Sequence, residues 1–400
     1  MLSAFRRFPY CNLSWISVSQ FSISATNNGK QVFYHKDLEI KQAKPEERQP
    51  LPKKDQQLGF GVIHSDHMFE VNYELGKGWT KPVIRPYTNL SIDPAAKVLH
   101  YACELFEGMK AYRGADNRIR LFRPELNMAR MRRSAVRCAL PDFDGKELLK
   151  CIRELVKIDQ AWVPYQKGAS LYIRPTLIGT EPSLSVTLSN EAKLFVITGP
   201  AGAYFDTFDP VSLLADPQYV RAAKGGVGAF KLGCNYAPTM KIAGDALKKG
   251  CKQVLWLAGP EQHITEVGAM NVFMYWKNEE GENELITASL ETGIILPGVT
   301  RQSILELARE MGEVKVTERD FTMDELRKAL KENRVYEIFG AGTAAVVIPV
   351  DMILYQIDDH EEKLKIPLME STKSLMQRLF KAITDIQYGR ASRPEWIVEI

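Results

Sequence analysis

Apolar and polar residues alternate over short runs in the first half of the chain and recur at helical spacing between them. GMKAYRG and RIRLFRP flank Ala-Asp-Asn and predict a β-hairpin. A helix is predicted to begin at Pro124 and to continue as far as Leu140. The β-branched runs ASLYIRPTLIG and KLFVITG, both bounded by glycine, predict two further strands.

The second half alternates strand and helix patterns. QVLWLAG, NVFMYW, ELITAS and VYEIFG predict strands, and TRQSILELAREMG and TMDELRKALKE predict helices. The aperiodic segment GAYFDTFDPVS suggests an interdomain connection at residues 206–210. We therefore predict a two-domain α/β (α+β) protein, with a smaller N-terminal domain at 58–205 and a larger C-terminal domain at 211–400.

The amino terminus has a different composition. Residues 1–30 contain arginines and many serines, and no acidic residue precedes Asp37. This composition is typical of a mitochondrial transit peptide, with a disordered tail as the alternative. Residues 31–57 are polar and predict a linker, so the folded part is expected to begin near Leu58. The expected location is the mitochondrial matrix, with the cytoplasm as the alternative.

Overall composition excludes several classes of function. Hydrophobic residues make up 45% and charged residues 25%, as in soluble globular proteins. A net charge of +3 is too small to suggest a nucleic-acid or membrane-surface protein, and no apolar run reaches the roughly 18 residues of a membrane-spanning helix. The six cysteines include no CxxC pair, so no metal site is predicted.

Two charged residues stand in apolar sequence. Lys231 in VGAFKLGCNYAPTMK is flanked by small and aromatic residues, and desolvation of a lysine lowers its pKa so that the amine can attack a carbonyl. Taken alone, Lys231 would more often be a satisfied structural lysine. Glu266 in HITEVGAMNVFMYW needs a cationic partner, either a protonated pyridine nitrogen or a structural arginine.

Two turns of small residues could bind an anion. In ILPGVTRQSILELAREMGE a helix is predicted with Thr300 as its N-cap and Gly312 at its end, and the free N–H groups of such a helix start bind anions. Gly340-Ala341-Gly342-Thr343 permits close backbone approach, although it matches neither a P-loop nor a dinucleotide fingerprint. A Schiff-base lysine, a carboxylate for a pyridinium and two phosphate turns together match the needs of pyridoxal phosphate.

Longer motifs carry a family resemblance. FKLGCNYAPT, ITEVGAMN, LPGVTRQSIL, LFEGMKAYRG, LFRPELNMARM and LYIRPTLIGTEPSLSV resemble the branched-chain-amino-acid aminotransferases, which are fold type IV pyridoxal phosphate enzymes. The resemblance runs from about Leu58 to the carboxyl terminus. It implies ping-pong transamination of L-leucine, L-isoleucine and L-valine with 2-oxoglutarate. Alternatives are a D-amino-acid aminotransferase, an aminodeoxychorismate lyase, or a non-catalytic pyridoxal phosphate carrier.

The resemblance also implies roles for individual residues. Lys231 is expected to be the catalytic Schiff-base lysine, Glu266 the partner of the pyridine nitrogen and Tyr236 the donor to the phenolic oxygen of the cofactor. The groups expected at the phosphate are Arg130, Val299, Thr300 and Thr343.

Further positions are expected to bind the substrates. Aromatic residues would surround the branched side chain, Arg174 would meet the second carboxylate of glutamate, and Ala344 the α-carboxylate. A neighbouring subunit of a homodimer would complete the pocket with Tyr101, Leu184 and Val186. The aromatic set consists of Phe60, Phe106, Tyr172, Tyr204 and Tyr236.

The sequence departs from the family pattern at three places. Ala269 stands where many members have threonine, so one hydroxyl near the cofactor is absent. Ala345-Val346-Val347-Ile348 replaces a redox-active CxxC, so thiol regulation of that kind is not expected. Cys234 occupies a position often held by glycine, and nothing in the sequence accounts for it.

Overall fold

A computed structural model describes residues 32–53, 56–202, 209–357 and 360–400. The predicted transit peptide, Tyr204 and residues 206–208 of the predicted interdomain connection lie outside these ranges. Among the described residues, every helix is too short or too polar to cross a membrane.

A ten-stranded sheet is formed mainly by the first half of the chain. Its long central pair is antiparallel, with Ser170 opposite Ala201 at one end and Gly179 opposite Ala192 at the other. The strands are β1 (Glu39–Ile40), β2 (His67–Glu74), β3 (Gly78–Trp79), β4 (Val83–Pro86), β5 (Glu104–Phe106), β6 (Met109–Arg113), β7 (Ile119–Phe122), β8 (Ser170–Gly179) and β9 (Glu191–Ala201), together with a final strand at Ile397–Glu399.

Helices pack on this sheet through apolar residues at helical spacing. A short helix, α1 (Lys97–Tyr101), is followed by α2 (Pro124–Arg137) and α3 (Gly145–Ile158). The side chain of Asp144 accepts hydrogen bonds from the first N–H groups of α3 and so fixes where it begins. Leu148, Ile152 and Leu155 then recur on one face and join the core of the sheet.

A nine-stranded mixed sheet is formed by the second half of the chain. The strands are β10 (Val211–Ala215), β11 (Gln253–Ala258), β12 (His263–Val267), β13 (Met270–Lys277), β14 (Asn283–Thr287), β15 (Lys315–Glu318), β16 (Val335–Gly342), β17 (Val346–Ile357) and β18 (His360–Lys365). The sheet is parallel where β10 pairs with β11 and β17, and antiparallel along β13, β16 and β17.

Four helices cover this second sheet. Phe273 and Phe339 of the sheet stack with ring centroids 5.2 Å apart. They share a buried cluster with two of the helices, α5 (Val299–Met311) and α7 (Leu375–Gln387). The same cluster contains Tyr112 and Phe122 of the first sheet, so it joins the two sheets. The helices are α4 (Thr239–Lys248), α5 (Val299–Met311), α6 (Met323–Lys331) and α7 (Leu375–Gln387).

The structure confirms the main predicted elements. β6 and β7 form the predicted hairpin, with Ala111 opposite Leu121, and α2 begins at Pro124 as expected. The chain ends with β19 (Ile397–Glu399), which pairs with β7 of the first sheet. The division into domains at residues 206–210 stays a prediction.

Two sequence predictions are wrong in detail. The segment 31–57, predicted as a linker, contains buried Phe33 and a strand, β1, that pairs in parallel with β4. A few apolar side chains suffice to anchor an otherwise polar segment. Thr300 is not the N-cap of α5, because the helix begins at Val299 and the carbonyl of Gly298 already accepts the N–H of Gln302 at 3.0 Å.

Candidate active site

A cavity of about 600 Å³ opens between the two sheets. Its walls come from β5, α2 and β8 on one side and from the start of α5 and the β16–β17 turn on the other. Eleven predicted site residues line it: Phe60, Phe106, Arg130, Tyr172, Arg174, Lys231, Tyr236, Val299, Thr300, Thr343 and Ala344.

Lys231 presents its amine to this cavity. Nζ donates to the hydroxyl of Tyr236 at 2.8 Å and lies 4.7 Å from the ring centroid of Phe106. The backbone N–H of Lys231 donates to Ser134 Oγ at 3.0 Å, which fastens the segment to α2. The side chain is half-buried and forms no salt bridge with a carboxylate in the described ranges. An amine held this way faces a bound molecule without a competing ion pair.

Arg130 is almost fully buried in α2 and is clamped by Glu107. Nε and Nη2 donate to the two carboxylate oxygens of Glu107 at 2.7 and 2.8 Å, and Nη1 donates to the carbonyl of Pro297 at 3.0 Å. A guanidinium has five N–H groups, so two remain for a ligand in the cavity. Burial raises the pKa of Glu107, but Arg130 and Asn127 outweigh it and hold that pKa below its usual value.

Glu266 lies buried in β12 behind the cavity. Oε1 accepts the backbone N–H of Leu296 at 2.7 Å, and Oε2 is 3.0 Å from Nε of Arg221. Burial raises the pKa of Glu266, and Arg221 and the Leu296 N–H offset only part of that rise. Of the two cationic partners predicted for Glu266, a pyridine nitrogen or an arginine, the structure contains the arginine, Arg221. Each carboxylate oxygen keeps a further lone pair for a cationic ring nitrogen.

The start of α5 offers backbone N–H groups that have no acceptor among the described residues. Gly298 occupies the N-cap position without a capping side chain, and Val299 and Thr300 follow at the cavity wall. A Cβ atom at Gly298 would collide with Oδ1 of Asn271, whose Nδ2 donates to the carbonyl of Leu296 at 2.8 Å. The close packing needs glycine here and leaves the positive end of the helix open to an anion.

Three residues separate β16 from β17, since Gly342 pairs with Val346. Thr343 and Ala344 of this turn line the cavity. Behind them, Nζ of buried Lys110 donates to the carbonyl of Ala344 at 2.7 Å. The turn is thus held from the first sheet although it belongs to the second.

Aromatic rings and one arginine form the outer part of the cavity. Phe60 meets Tyr172 edge to face with centroids 4.7 Å apart, and Phe106 lies 4.9 Å from Tyr236. Arg174 lies over Phe106 at 4.6 Å and donates to the hydroxyl of Tyr172 at 3.1 Å. Its buried Nε has no acceptor among the described residues. This part suits an apolar side chain beside an anionic group.

Three predicted substrate residues, Tyr101, Leu184 and Val186, are not at the cavity of this protomer. Tyr101 donates to the carbonyl of Leu184, and both lie with Val186 on the exposed surface of the protomer. Val186 is 83% exposed, which is unusual for valine. Tyr204 lies outside the described residues.

Sequence reasoning missed Glu107, Arg221, Lys110 and Asn271. Glu107 and Lys110 carried a usable signal, because both are charged residues in the apolar run LFEGMKAY, as Glu266 is in its own strand. Arg221 and Asn271 carried none, since their partners are distant in sequence.

Comparisons with known proteins agree with this arrangement. Residues 104–353 match the Amino-transferase class IV family. The chain is 56% identical to a cytosolic branched-chain-amino-acid aminotransferase of Caenorhabditis elegans, over 93% of this chain and 90% of the relative. It is 52% identical to a mitochondrial branched-chain-amino-acid aminotransferase of Rattus norvegicus, over 91% of each chain.

A solved structure supports the fold. The PLP-form of a branched-chain amino acid aminotransferase from Thermobaculum terrenum superposes with a TM-score of 0.67 at 21% identity, over 84% of this chain and 99% of that one. The chain therefore belongs to the class IV aminotransferases, and within them to the branched-chain-amino-acid aminotransferases.

Proposed function

We propose that this protein transfers the amino group of L-leucine, L-isoleucine or L-valine to 2-oxoglutarate, with pyridoxal 5'-phosphate as cofactor. The observation that carries the proposal is the position of the Lys231 amine, which faces a cavity between an anion-binding end and a buried carboxylate. The family to which the chain belongs supports the same reaction.

The residues present fit this cofactor. Arg130 keeps two free N–H groups, and the uncapped start of α5 adds backbone donors near them, so a phosphate finds donors at one end. Lys231 and Tyr236 occupy the middle of the cavity, and Glu266 lies at the side of Leu296. When bound, pyridoxal phosphate supplies an aldehyde for the amino group and a ring that withdraws electrons from it.

The side chains then divide the work. Lys231 Nζ is the group that takes the proton from Cα of the amino acid, and it is kept ready by the hydroxyl of Tyr236. Glu266, paired with Arg221, would accept a hydrogen bond from the ring nitrogen. The N–H groups of Thr343 and Ala344 bind the α-carboxylate that amino acid and 2-oxo acid share.

Two kinds of side chain must fit the outer cavity in turn. Phe60, Phe106 and Tyr172 exclude water from the branched side chain. Arg174, with its unpartnered Nε, binds the second carboxylate of glutamate or 2-oxoglutarate.

We further propose a homodimer located in mitochondria. The surface cluster of Tyr101, Leu184 and Val186 would reach the cavity of the second subunit. Relatives include both cytosolic and mitochondrial proteins. A fluorescent protein fused behind residues 1–30 should be imported into mitochondria, and a uniformly cytosolic signal would favour the other location.

A spectroscopic titration tests the activity. The purified holoenzyme should lose its long-wavelength absorbance with L-leucine and regain it with 2-oxoglutarate, whereas Lys231→Ala should show neither change. D-alanine should leave the spectrum unaltered. A response to D-alanine and none to L-leucine would instead indicate a D-amino-acid aminotransferase.

A further inference from the structure

Lys110 is a buried cation without a carboxylate partner in the described part of the chain. Lys110 is the second residue of β6 and is only 6% exposed. Its neighbours Met109 and Ala111 belong to the core of the first sheet, so Lys110 points to the opposite face. None of the salt bridges among the described residues includes it, and burial lowers its pKa to about 8. A buried ammonium without a counter-ion destabilises a fold, so a lysine at this position suggests a functional role.

Among the described residues, the side chain of Lys110 has one hydrogen-bond acceptor, and it lies at the cavity. Nζ reaches across the junction of the two sheets to the carbonyl of Ala344, 2.7 Å away. The N–H on the opposite side of that trans peptide belongs to Ala345, so Lys110 holds the turn at the peptide that directly follows the N–H groups of Thr343 and Ala344. Thr343 and Ala344 line the cavity, whereas Lys110 lies behind them. The N–H groups of both turn residues have no protein acceptor in the described part of the chain.

We propose that Lys110 is a positioning residue for the substrate carboxylate. Its bond to Ala344 fixes the β16–β17 turn, and its positive charge lies behind the turn where the carboxylate binds. This inference rests on the proposed function, because it assumes that an α-carboxylate meets Thr343 and Ala344. Lys110 would therefore favour ligands with a carboxylate over neutral ligands of the same shape.

The role of Lys110 is tested by measuring how variants at this position bind two ligands that differ only in charge. Calorimetry on the holoenzyme compares 4-methylpentanoate with its neutral amide, 4-methylpentanamide. Lys110→Met should weaken binding of the carboxylate about tenfold and leave binding of the amide within about twofold. Lys110→Arg should retain most of the affinity, because it keeps both the charge and a donor. For L-leucine the loss should appear in KM rather than in kcat.

Controls separate this role from a structural one. Lys77→Met removes one charge from an exposed turn and should alter neither dissociation constant. Equal weakening for carboxylate and amide, or no weakening at all, would overturn the inference. If Lys110→Met fails to fold, Lys110→Gln provides the same comparison. A wild-type enzyme that fails to respond to L-leucine would refute the proposed function, whereas a responsive wild type with unaltered discrimination in the variant refutes only the role of Lys110.

Discussion

Buried charges near the cavity are held by partners from distant parts of the chain. Glu107 of the first sheet binds Arg130 of α2, Glu266 of the second sheet binds Arg221, and Lys110 binds a carbonyl. Each charge is costly to desolvate, and removing one partner leaves the other uncompensated. These buried charges lower the stability of the protein, but their partners fix the orientation of the side chains at the cavity.

Glu107→Ala should destabilise the protein by about 3–5 kcal/mol, because it leaves the buried Arg130 without its carboxylate. Affinity for pyridoxal phosphate should also fall, since the guanidinium would no longer be held toward the cavity. Urea unfolding of the apoprotein and absorbance titration with the cofactor measure the two effects. Glu70→Ala is the control, because its partners Arg85 and Lys193 are less buried. Equal losses in the two variants would argue against a special role for Glu107.

Lys110→Met should stabilise the protein at neutral pH, in contrast to its effect on ligand binding. The pKa of Lys110 is lowered from 10.5 to about 8, so the unfolded chain binds this proton more tightly than the folded protein does. The penalty is complete below pH 8, where it amounts to about 3 kcal/mol, and disappears as the pH rises through 10.5. Urea unfolding at pH 7 and 9.5 should therefore show a stability gain that is smaller at the higher pH. A gain independent of pH would exclude this origin.

At the scale of elements, the sequence predicted those features that are determined by residues close together in the chain. The hairpin of β6 and β7, the start of α2 at Pro124 and the end of α5 at Gly312 follow from turn residues, proline and glycine. The N-cap of α5 was misplaced because a threonine is the better capping side chain, while packing against Asn271 admits only glycine at 298.

Non-local pairings could not be derived from the same signals. The pairing of Ile397–Glu399 with β7 joins segments that are distant in sequence, and periodicity contains no information about which strands meet. For the same reason the sequence indicated that Glu266 needs a cation but not that Arg221 provides one. The family resemblance supplied the set of site residues, and the structure adds which of them one protomer brings together.

Gly298→Ala should weaken cofactor binding, because the new Cβ meets Asn271 and displaces the start of α5. Gly244→Ala in α4 is a matched control, since open space surrounds that position and alanine favours helix. The control should be stabilised by up to about 1 kcal/mol and bind the cofactor normally. Calorimetric titration of both apoproteins with pyridoxal phosphate measures the difference. Normal affinity in Gly298→Ala would show that the helix start does not contribute.

At the scale of the whole molecule, two sheets share one buried cluster, and the cavity lies at their junction. Tyr112 and Phe122 from the first sheet pack with Phe273 and Phe339 from the second. This shared cluster fixes the two sheets relative to each other, so the site residues that they contribute keep their positions around the cavity. The loop between β8 and β9 exposes the apolar side chains of Leu184, Val186 and Leu188. Such a surface is expected where another molecule binds.

The proposed homodimer predicts that Leu184→Glu yields a monomer with little transaminase activity. Leu184 and Val186 are 63% and 83% exposed in the single chain, and a carboxylate placed in an apolar interface would have to be desolvated on association. Activity should be lost with association, because the neighbouring subunit is proposed to contribute Tyr101 to the cavity. Leu368→Glu, which alters an exposed leucine before α7, is the control and should remain dimeric and active. Sedimentation equilibrium together with the leucine-dependent absorbance change measures both properties. A Leu184→Glu protein that sediments as a monomer and retains full activity would show that each subunit completes its own cavity.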